Sequence, residues 1–296
     1  MNASDFSLGK EGSDDGSFQR QDSAFRETDL VAEPGRYHLY VSYACPWASR
    51  IVIGRVLLGL EDALPMSVVD PIRGDAGWRF SGGEYVDHAE GAELLMEHYR
   101  ATDPSFDGRA SVPVLWDVEE KRIVNNESGD ILRLLSTALA PLATREADLV
   151  PAAHAAAIDA LNDRIYDDLN NAVYKAGFTR NQSVYEREVA SIFTLLDELE
   201  ERLAGSRFLF GDEPVETDWR LFTTLIRFDP VYSIHFKCSV RRIAEYPHLS
   251  RYLRELYRWP GIAATVRFDE IRAHYYRTHP MINPSGLVAV LPAMDL

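Results

Sequence analysis

The pattern of apolar residues changes once along this chain, near Pro141, and that change constrains the fold more than any other feature. Before Pro141, strand-like runs alternate with stretches at helical spacing, whereas after it only helical spacing remains. The chain has 296 residues, 46% of them hydrophobic, which is enough for two domains with separate cores. We therefore expect an N-terminal extension over residues 1–35, an α/β domain over 36–140, and an all-helical domain with a C-terminal tail over 141–296.

The first domain is predicted to contain four strands and three helices. They follow the order strand, helix, strand, helix, strand, strand, helix, over residues 37–42, 48–60, 66–69, 92–102, 112–116, 122–124 and 127–139. Only a short polar segment separates the last two strands, so they are expected to form a hairpin. This order is typical of a compact α/β unit.

The second half is predicted to contain four long helices, over residues 151–176, 183–203, 218–228 and 249–258. Ser183 followed by Glu186 is typical of a capping box, so a helix is expected to begin there. Gly205 is expected to end that helix. The tail over residues 280–296 is apolar but has no period, and pattern alone does not assign it.

Cys45 stands in the turn between the first predicted strand and the first predicted helix, where Pro46 fits the first helical turn. The positive end of the helix dipole favours the thiolate, which is the nucleophilic form of cysteine. A dithiol redox motif would place a second cysteine at position 48, and this chain has Ala48 there. A mixed disulfide on Cys45 would then be resolved by an external thiol, which indicates a small thiol cosubstrate. Cys238 has no comparable setting and is predicted to be structural.

Composition excludes several classes of partner. A formal charge of −15 argues against nucleic acid or an anionic membrane as the main partner. The best apolar stretch is interrupted by Arg50 and Arg55, and the first residues are polar and acidic, so neither a membrane span nor a secretory signal is expected. Two cysteines fit a reducing cytoplasm. The eight histidines are scattered, so no metal is expected.

Longer motifs continue through both halves of the chain. In the first half they are Tyr37–Ser42 leading into Cys45-Pro46-Trp47-Ala48, Gly77-Trp78, Val112–Asp117 and Asn126-Glu127-Ser128. In the second half they are Asn170-Asn171, Val173–Phe178, Arg227–Tyr232, His235–Cys238 and His274-Tyr275. Together they resemble the xi class of the glutathione transferase superfamily, the glutathionyl-hydroquinone reductases. The resemblance runs from Ser23 onward and implies a thioredoxin-like α/β N-terminal domain with an all-α C-terminal domain.

The resemblance also implies a reaction. Its substrate is a hydroquinone that carries glutathione through a thioether. The Cys45 thiolate attacks the glutathionyl sulfur, releases the hydroquinone and keeps glutathione as a mixed disulfide. A second glutathione then releases oxidised glutathione and free enzyme. Two other functions stay open: a dehydroascorbate reductase or general thiol transferase, and a non-catalytic ligand-binding member of the superfamily.

Residue roles follow from the resemblance as expectations. Tyr174 corresponds to the proton donor and acceptor for the aromatic ring, and Tyr232 and Tyr275 correspond to hydroxyl donors that favour the Cys45 thiolate. These tyrosines belong to the helical half, so the active site is expected in the cleft between the domains. The residues expected to bind glutathione are Trp78, Arg109, Ala110, Ser111, Val112, Glu127 and Ser128.

Some of these glutathione-binding residues have more specific expected roles. Val112 should present its backbone to the cysteinyl part from a cis Val112–Pro113 bond. Glu127 suits the γ-glutamyl ammonium, and Ser128 suits its carboxylate at a helix N-terminus. A homodimer is expected on the same resemblance.

Two positions depart from the family pattern. Ser49 stands where the family usually has His, and Val215 stands where a Thr or Ser usually caps a helix. The first affects the tuning of the cysteine and the second removes one helix cap. Neither removes a reacting group.

Overall fold

The structure is a computed structural model that describes residues 18–296, so residues 1–17 of the predicted N-terminal extension lie outside the described residues. The described chain divides into two compact units. An α/β unit contains residues 21–148 and 264–274, and a helical unit contains residues 18–20, 149–263 and 275–296.

The α/β unit is built on a sheet of four strands in the order β2-β1-β3-β4. The strands are β1 (Tyr37–Val41), β2 (Met66–Val68), β3 (Val114–Asp117) and β4 (Arg122–Asn125). β1 pairs parallel with β2 and antiparallel with β3, and β3 with β4 forms the predicted hairpin. All five residues of β1 are buried, as expected for a central strand.

Three helices belong wholly to this unit: α1 (Pro46–Leu57), α2 (Leu95–Thr102) and α3 (Ser128–Ser136). α1 packs against α3 because Gly54 has no side chain, and a Cβ there would meet the side chain of Leu132 at 2.6 Å. α3 ends earlier than predicted, and a short 3₁₀ turn over Ala140–Leu142 follows it. The predicted α/β order is confirmed.

The segment between β2 and α2 is held to the sheet by the buried carboxylate of Asp87. Tyr40 in β1 donates its hydroxyl to Asp87 at 3.0 Å, and the His98 ring in α2 lies 3.1 Å from the same carboxylate. Burial acts to raise the pKa of Asp87, but the hydrogen bonds from His98 and from backbone amides of this segment outweigh it and hold that pKa below its ordinary value. These contacts fix the segment that carries Trp78.

Residues that precede β1 lie along the outer edge of β4. The Glu27 amide donates to the Val124 carbonyl and the Asn126 amide donates to the Phe25 carbonyl, both at 2.9 Å. Arg26 forms an antiparallel bridge with Asn125. The described part of the predicted extension therefore covers an edge strand that would otherwise expose unpaired backbone groups.

The helical unit contains no strand among its described residues. Its helices are α4 (Ala155–Ile165), α5 (Ala172–Phe178), α6 (Gln182–Ala204), α7 (Glu216–Arg227) and α8 (Pro247–Tyr257). Helix α9 (Phe268–Thr278) contributes residues up to His274 to the α/β unit and residues from Tyr275 to the helical unit. The predicted all-α half is confirmed. Among residues 18–296, every helix is too short or too polar to cross a bilayer.

Two helix predictions were wrong in detail. The helix expected over residues 151–176 is interrupted by a π-helical turn over Tyr166–Asn170, which separates α4 from α5. The helix expected to begin at Ser183 begins at Gln182, because the Asn181 side chain accepts the Ser183 amide at 3.0 Å and caps it. Gly205 ends α6 as predicted. Val215 supplies no side-chain cap to α7, as its residue type implies.

Candidate active site

Cys45 is the residue that immediately precedes α1, with extended backbone angles of φ −79° and ψ 122°. Its amide donates to the Ser42 carbonyl at 3.1 Å, and its own carbonyl accepts both the amide and the hydroxyl of Ser49 at 3.0 Å. The side chain is half-buried, and neither Cys45 nor Cys238 forms a disulfide. The fold thus holds the sulfur at a helix N-terminus, as predicted.

The Cys45 thiol points at a backbone carbonyl in the segment that leads into β3. Its Sγ lies 3.6 Å from the Val112 oxygen, to which it donates. The bond between Val112 and Pro113 is cis, as predicted. The preceding residues are also held by hydrogen bonds. The Tyr99 hydroxyl donates to the Ser111 carbonyl at 2.9 Å. The Gln21 side chain accepts from the Arg109 amide at 2.9 Å and donates to the Arg109 carbonyl at 3.2 Å.

Glu127 and Ser128 lie at the start of α3. Glu127 caps the helix, since its Oε1 accepts the Gly129 amide at 3.1 Å. Ser23, in the segment along β4, donates its hydroxyl to the other carboxylate oxygen at 2.8 Å. Ser128 is buried and accepts a hydrogen bond from Arg50 of α1 at 3.4 Å. A carboxylate and a helix N-terminus therefore lie side by side, a pair suited to an ammonium and a carboxylate group.

Trp78 is buried, and its indole ring stacks on the His274 ring with centroids 5.0 Å apart and planes 18° apart. His274 in turn bonds the Pro71 carbonyl through Nδ1 at 2.8 Å. His274 stood in a sequence motif with no role attached, and the structure shows that it supports Trp78. Contact of Trp78 with glutathione stays a prediction.

Three tyrosines of the helical unit meet through their hydroxyl groups, and we call them the tyrosine cluster: Tyr174 of α5, Tyr232 at the end of the π-helical turn Phe228–Tyr232, and Tyr275 of α9. The Tyr275 hydroxyl lies 2.5 Å from that of Tyr174 and 3.1 Å from that of Tyr232. Burial raises the pKa of Tyr232 and of Tyr275 well above the ordinary value. Both therefore keep their protons at neutral pH.

Residues that sequence reasoning did not assign surround this cluster. The Arg20 guanidinium lies 5.3 Å from the centre of the Tyr174 ring and donates to Asn171 at 3.3 Å. The Phe18 ring stacks on Tyr174 with centroids 6.2 Å apart. No signal in a single sequence could have found them, because residues 18–20 lie in a stretch without period.

Gly177 and Phe236 form a close contact beside the cluster. Any Cβ at Gly177 would collide with the Phe236 ring, which itself stacks on Tyr232 with planes 9° apart. This explains why glycine stands in the Val173–Phe178 motif. The Cys238 thiol lies 3.9 Å from the Phe236 carbonyl oxygen and is fully buried, and burial raises its pKa to about 12. Cys238 is therefore structural, as predicted.

No group of three or more His, Cys, Asp or Glu side chains that could hold a metal ion occurs within residues 18–296.

Two family models and two curated relatives match this chain. The model of the glutathione S-transferase N-terminal domain matches residues 44–138, and that of the C-terminal domain matches residues 182–255. The chain is 45% identical over 286 residues to glutathionyl-hydroquinone reductase PcpF of Sphingobium chlorophenolicum, covering 95% of this chain and 91% of that one. It is 46% identical over 297 residues to glutathionyl-hydroquinone reductase YqjG of Escherichia coli, covering 95% and 90%.

Solved structures give the same result. The glutathione-bound structure of YqjG from Escherichia coli superposes with a TM-score of 0.87 at 47% identity, covering 90% of this chain and 87% of that one. The glutathione S-transferase Xi from Phanerochaete chrysosporium superposes with a TM-score of 0.92 at 44% identity, covering 96% and 95%. With both domain models matched and such identities over nearly its full length, this chain belongs to the xi class of the glutathione S-transferase family.

Proposed function

We propose that this protein is a glutathione-dependent reductase of glutathionyl-hydroquinones. The observation that carries the proposal is the position of Cys45, half-buried at the N-terminus of α1 beside the cis Val112–Pro113 bond, with Ala48 where a resolving thiol would stand. The names of the two bacterial relatives support the choice of substrate class.

The proposed reaction has two steps that balance. In the first, the Cys45 thiolate forms an S–S bond with the glutathionyl sulfur, and the carbon–sulfur bond to the ring breaks. The ring carbon keeps that electron pair and takes a proton, which yields the free hydroquinone. In the second step, the thiolate of a free glutathione attacks the mixed disulfide, restores the Cys45 thiolate and releases oxidised glutathione. Overall, one thioether sulfur and one thiol sulfur are oxidised to a disulfide and one aryl carbon is reduced.

We assign the proton transfers to the tyrosine cluster. Tyr174 gives and takes the proton that lets the ring change tautomer before its carbon–sulfur bond breaks. Tyr232 and Tyr275 are proposed as hydroxyl donors to the thiolate. Support comes from the hydrogen bonds that join the three hydroxyls. The raised pKa of Tyr232 and Tyr275 leaves both groups protonated, as hydrogen-bond donors to a thiolate must be.

Glutathione recognition is assigned to the α/β unit. The Val112 backbone holds the cysteinyl part, Glu127 the γ-glutamyl ammonium and Ser128 its carboxylate, and the supporting geometry is the N-terminus of α3. Trp78 and the strip Arg109, Ala110 and Ser111 are proposed to line the same ligand.

Turnover of a glutathionyl-hydroquinone with free glutathione tests the proposal. We expect wild type to be active and both Cys45→Ser and Tyr174→Phe to be severely impaired. Loss with Cys45→Ser alone would favour a general thiol transferase, and activity that survives Cys45→Ser would overturn the proposal.

We also propose that the protein is a cytoplasmic homodimer, on its family membership. Light scattering of the purified chain tests the dimer, and a mass of one chain would contradict it.

A further inference from the structure

The segment along β4 reaches one of the proposed glutathione-binding groups. Ser23 Oγ lies 2.8 Å from Glu127 Oε2 and 3.3 Å from the Asn126 carbonyl oxygen. A hydroxyl carries one proton, so Ser23 donates it in the shorter contact, the one to the Glu127 carboxylate. The other oxygen of Glu127 is engaged by the Gly129 amide at 3.1 Å.

The backbone around Ser23 is itself fixed. The Phe25 amide donates to the Asn126 side chain and the Asn126 amide donates to the Phe25 carbonyl, both at 2.9 Å. The Asn126 side-chain amide donates to the Tyr99 hydroxyl at 3.1 Å. Ser23 is therefore not a mobile surface hydroxyl that happens to be near a carboxylate.

We propose that Ser23 is a positioning residue for glutathione recognition, acting through Glu127. The inference rests on the proposed role of Glu127 toward the γ-glutamyl ammonium. Oε1 accepts from the Gly129 amide and, at 3.5 Å, from the Ser128 hydroxyl, whereas Ser23 supplies the donor to Oε2. With donors on both oxygens, the carboxylate cannot rotate about its last bond without breaking a hydrogen bond. Oε2, with the single donor Ser23, still has a lone pair for the ammonium, so the group is oriented in advance and remains able to accept it.

The test measures binding without turnover. In a Cys45→Ser background, calorimetry compares glutathione with an analogue whose γ-glutamyl group is replaced by glutaryl and so lacks the ammonium. We expect Ser23→Ala to weaken glutathione binding by about three- to tenfold, the effect of one ordinary hydrogen bond, because Ser23 orients Glu127 and does not itself contact the ligand. The analogue should bind the Ser23→Ala and Ser23 proteins equally, and Ser23→Thr, which keeps the hydroxyl, should restore glutathione binding.

Ser105→Ala is the matched control, because Ser105 also donates its hydroxyl to a carboxylate, that of Asp103, at 2.6 Å, and is exposed. It should not change either affinity. Equal weakening of glutathione and analogue by Ser23→Ala, or no weakening of either, would overturn the inference while leaving the proposed function in place. Failure of the Cys45→Ser protein to bind glutathione at all would overturn both.

Discussion

The turn around Cys45 and the tyrosine cluster are built in opposite ways. At Cys45 the surroundings are backbone groups. The N-terminus of α1 and the Ser42 carbonyl are close in sequence, and the carbonyl of Val112 comes from 67 residues further along the chain. In the tyrosine cluster, hydroxyls from three separate elements converge inside aromatic packing. A local turn can place one reactive sulfur, whereas joining three hydroxyls requires the whole helical unit.

The two regions also differ in the protonation state that their side chains need for the proposed reaction. Cys45 is half-buried at the N-terminus of α1, and the proposed mechanism requires it to react as a thiolate. Tyr232 and Tyr275 are buried, and burial raises their pKa well above the ordinary value, so they retain protons. The comparison predicts a division of roles, with the nucleophile in the α/β unit and the proton donors in the helical unit.

Replacing the nucleophile should have the largest effect. Cys45→Ser is expected to lower kcat/KM for a glutathionyl-hydroquinone by about 10⁴-fold or more, because a serine hydroxyl is not ionised at neutral pH. Steady-state kinetics measures this. Cys238→Ala is the control, since the Cys238 thiol, with a pKa of about 12, is protonated at neutral pH. A comparable loss of kcat/KM in Cys238→Ala protein that still folds would contradict the assignment of Cys45 as the nucleophile.

Tyr174→Phe separates ring chemistry from thiol exchange. We expect turnover of the glutathionyl-hydroquinone to fall by about 10²-fold, the usual contribution of a positioned proton donor. Reduction of a small aliphatic glutathione mixed disulfide, which needs no ring proton, should stay within a few-fold of wild type. Tyr185→Phe, which removes an exposed hydroxyl bonded to the Lys237 carbonyl at 2.7 Å, is the matched control. Equal losses with both substrates would contradict the assigned role.

The stability of the helical unit should depend on pH through His235, whose ring faces His279 at 3.1 Å and packs beside the tyrosine cluster. Burial lowers the pKa of His235 from 6.5 to about 4. Between these values the unfolded chain binds more protons than the folded one, so stability present at pH 7 is lost as the pH falls. We expect the free energy of unfolding of wild type, relative to His235→Gln, to decrease by about 2 kcal/mol from pH 7 to pH 5. Urea unfolding at both pH values measures it, and a constant difference would refute the prediction.

Glu127→Gln should have the smallest effect of the four. Loss of the carboxylate charge is expected to raise KM for glutathione about tenfold while kcat at saturation stays close to wild type, because the ammonium that Glu127 is proposed to bind takes no part in bond exchange. Glu186→Gln, at an exposed carboxylate that accepts from Gln182 at 2.8 Å, is the control. A fall in kcat without a change in KM would place Glu127 in the chemical steps.

Sequence reasoning found the thiol site because its determinants are local. A strand, a turn with Cys45 and Pro46, and a helix follow one another within some twenty residues, and periodicity shows each of them. The cap at Asn181 was missed because Ser183 offered an equally good pattern two residues later. Residue preference alone does not decide which of two capping residues this close in sequence begins the helix.

The tyrosine cluster could not be derived from pattern. Tyr174 and Tyr275 are 101 positions apart, and each alone is typical of an amphipathic core residue. Only the family resemblance singled them out, and their shared hydrogen bonds became visible in the folded chain. The contacts of Arg20 and Ser23 were beyond reach for the same reason, since they come from a segment without period that folds along elements distant in sequence.

The most direct test of the account is the fate of the glutathionyl group after a single turnover. Wild type is mixed with one equivalent of a glutathionyl-hydroquinone in the absence of free glutathione, and its peptides are analysed by mass spectrometry without reduction. We expect one glutathionyl group in disulfide linkage to Cys45, none on Cys238, and release of the hydroquinone in equal amount. Release of hydroquinone with Cys45 unmodified, or a glutathionyl group on Cys238 instead, would contradict it.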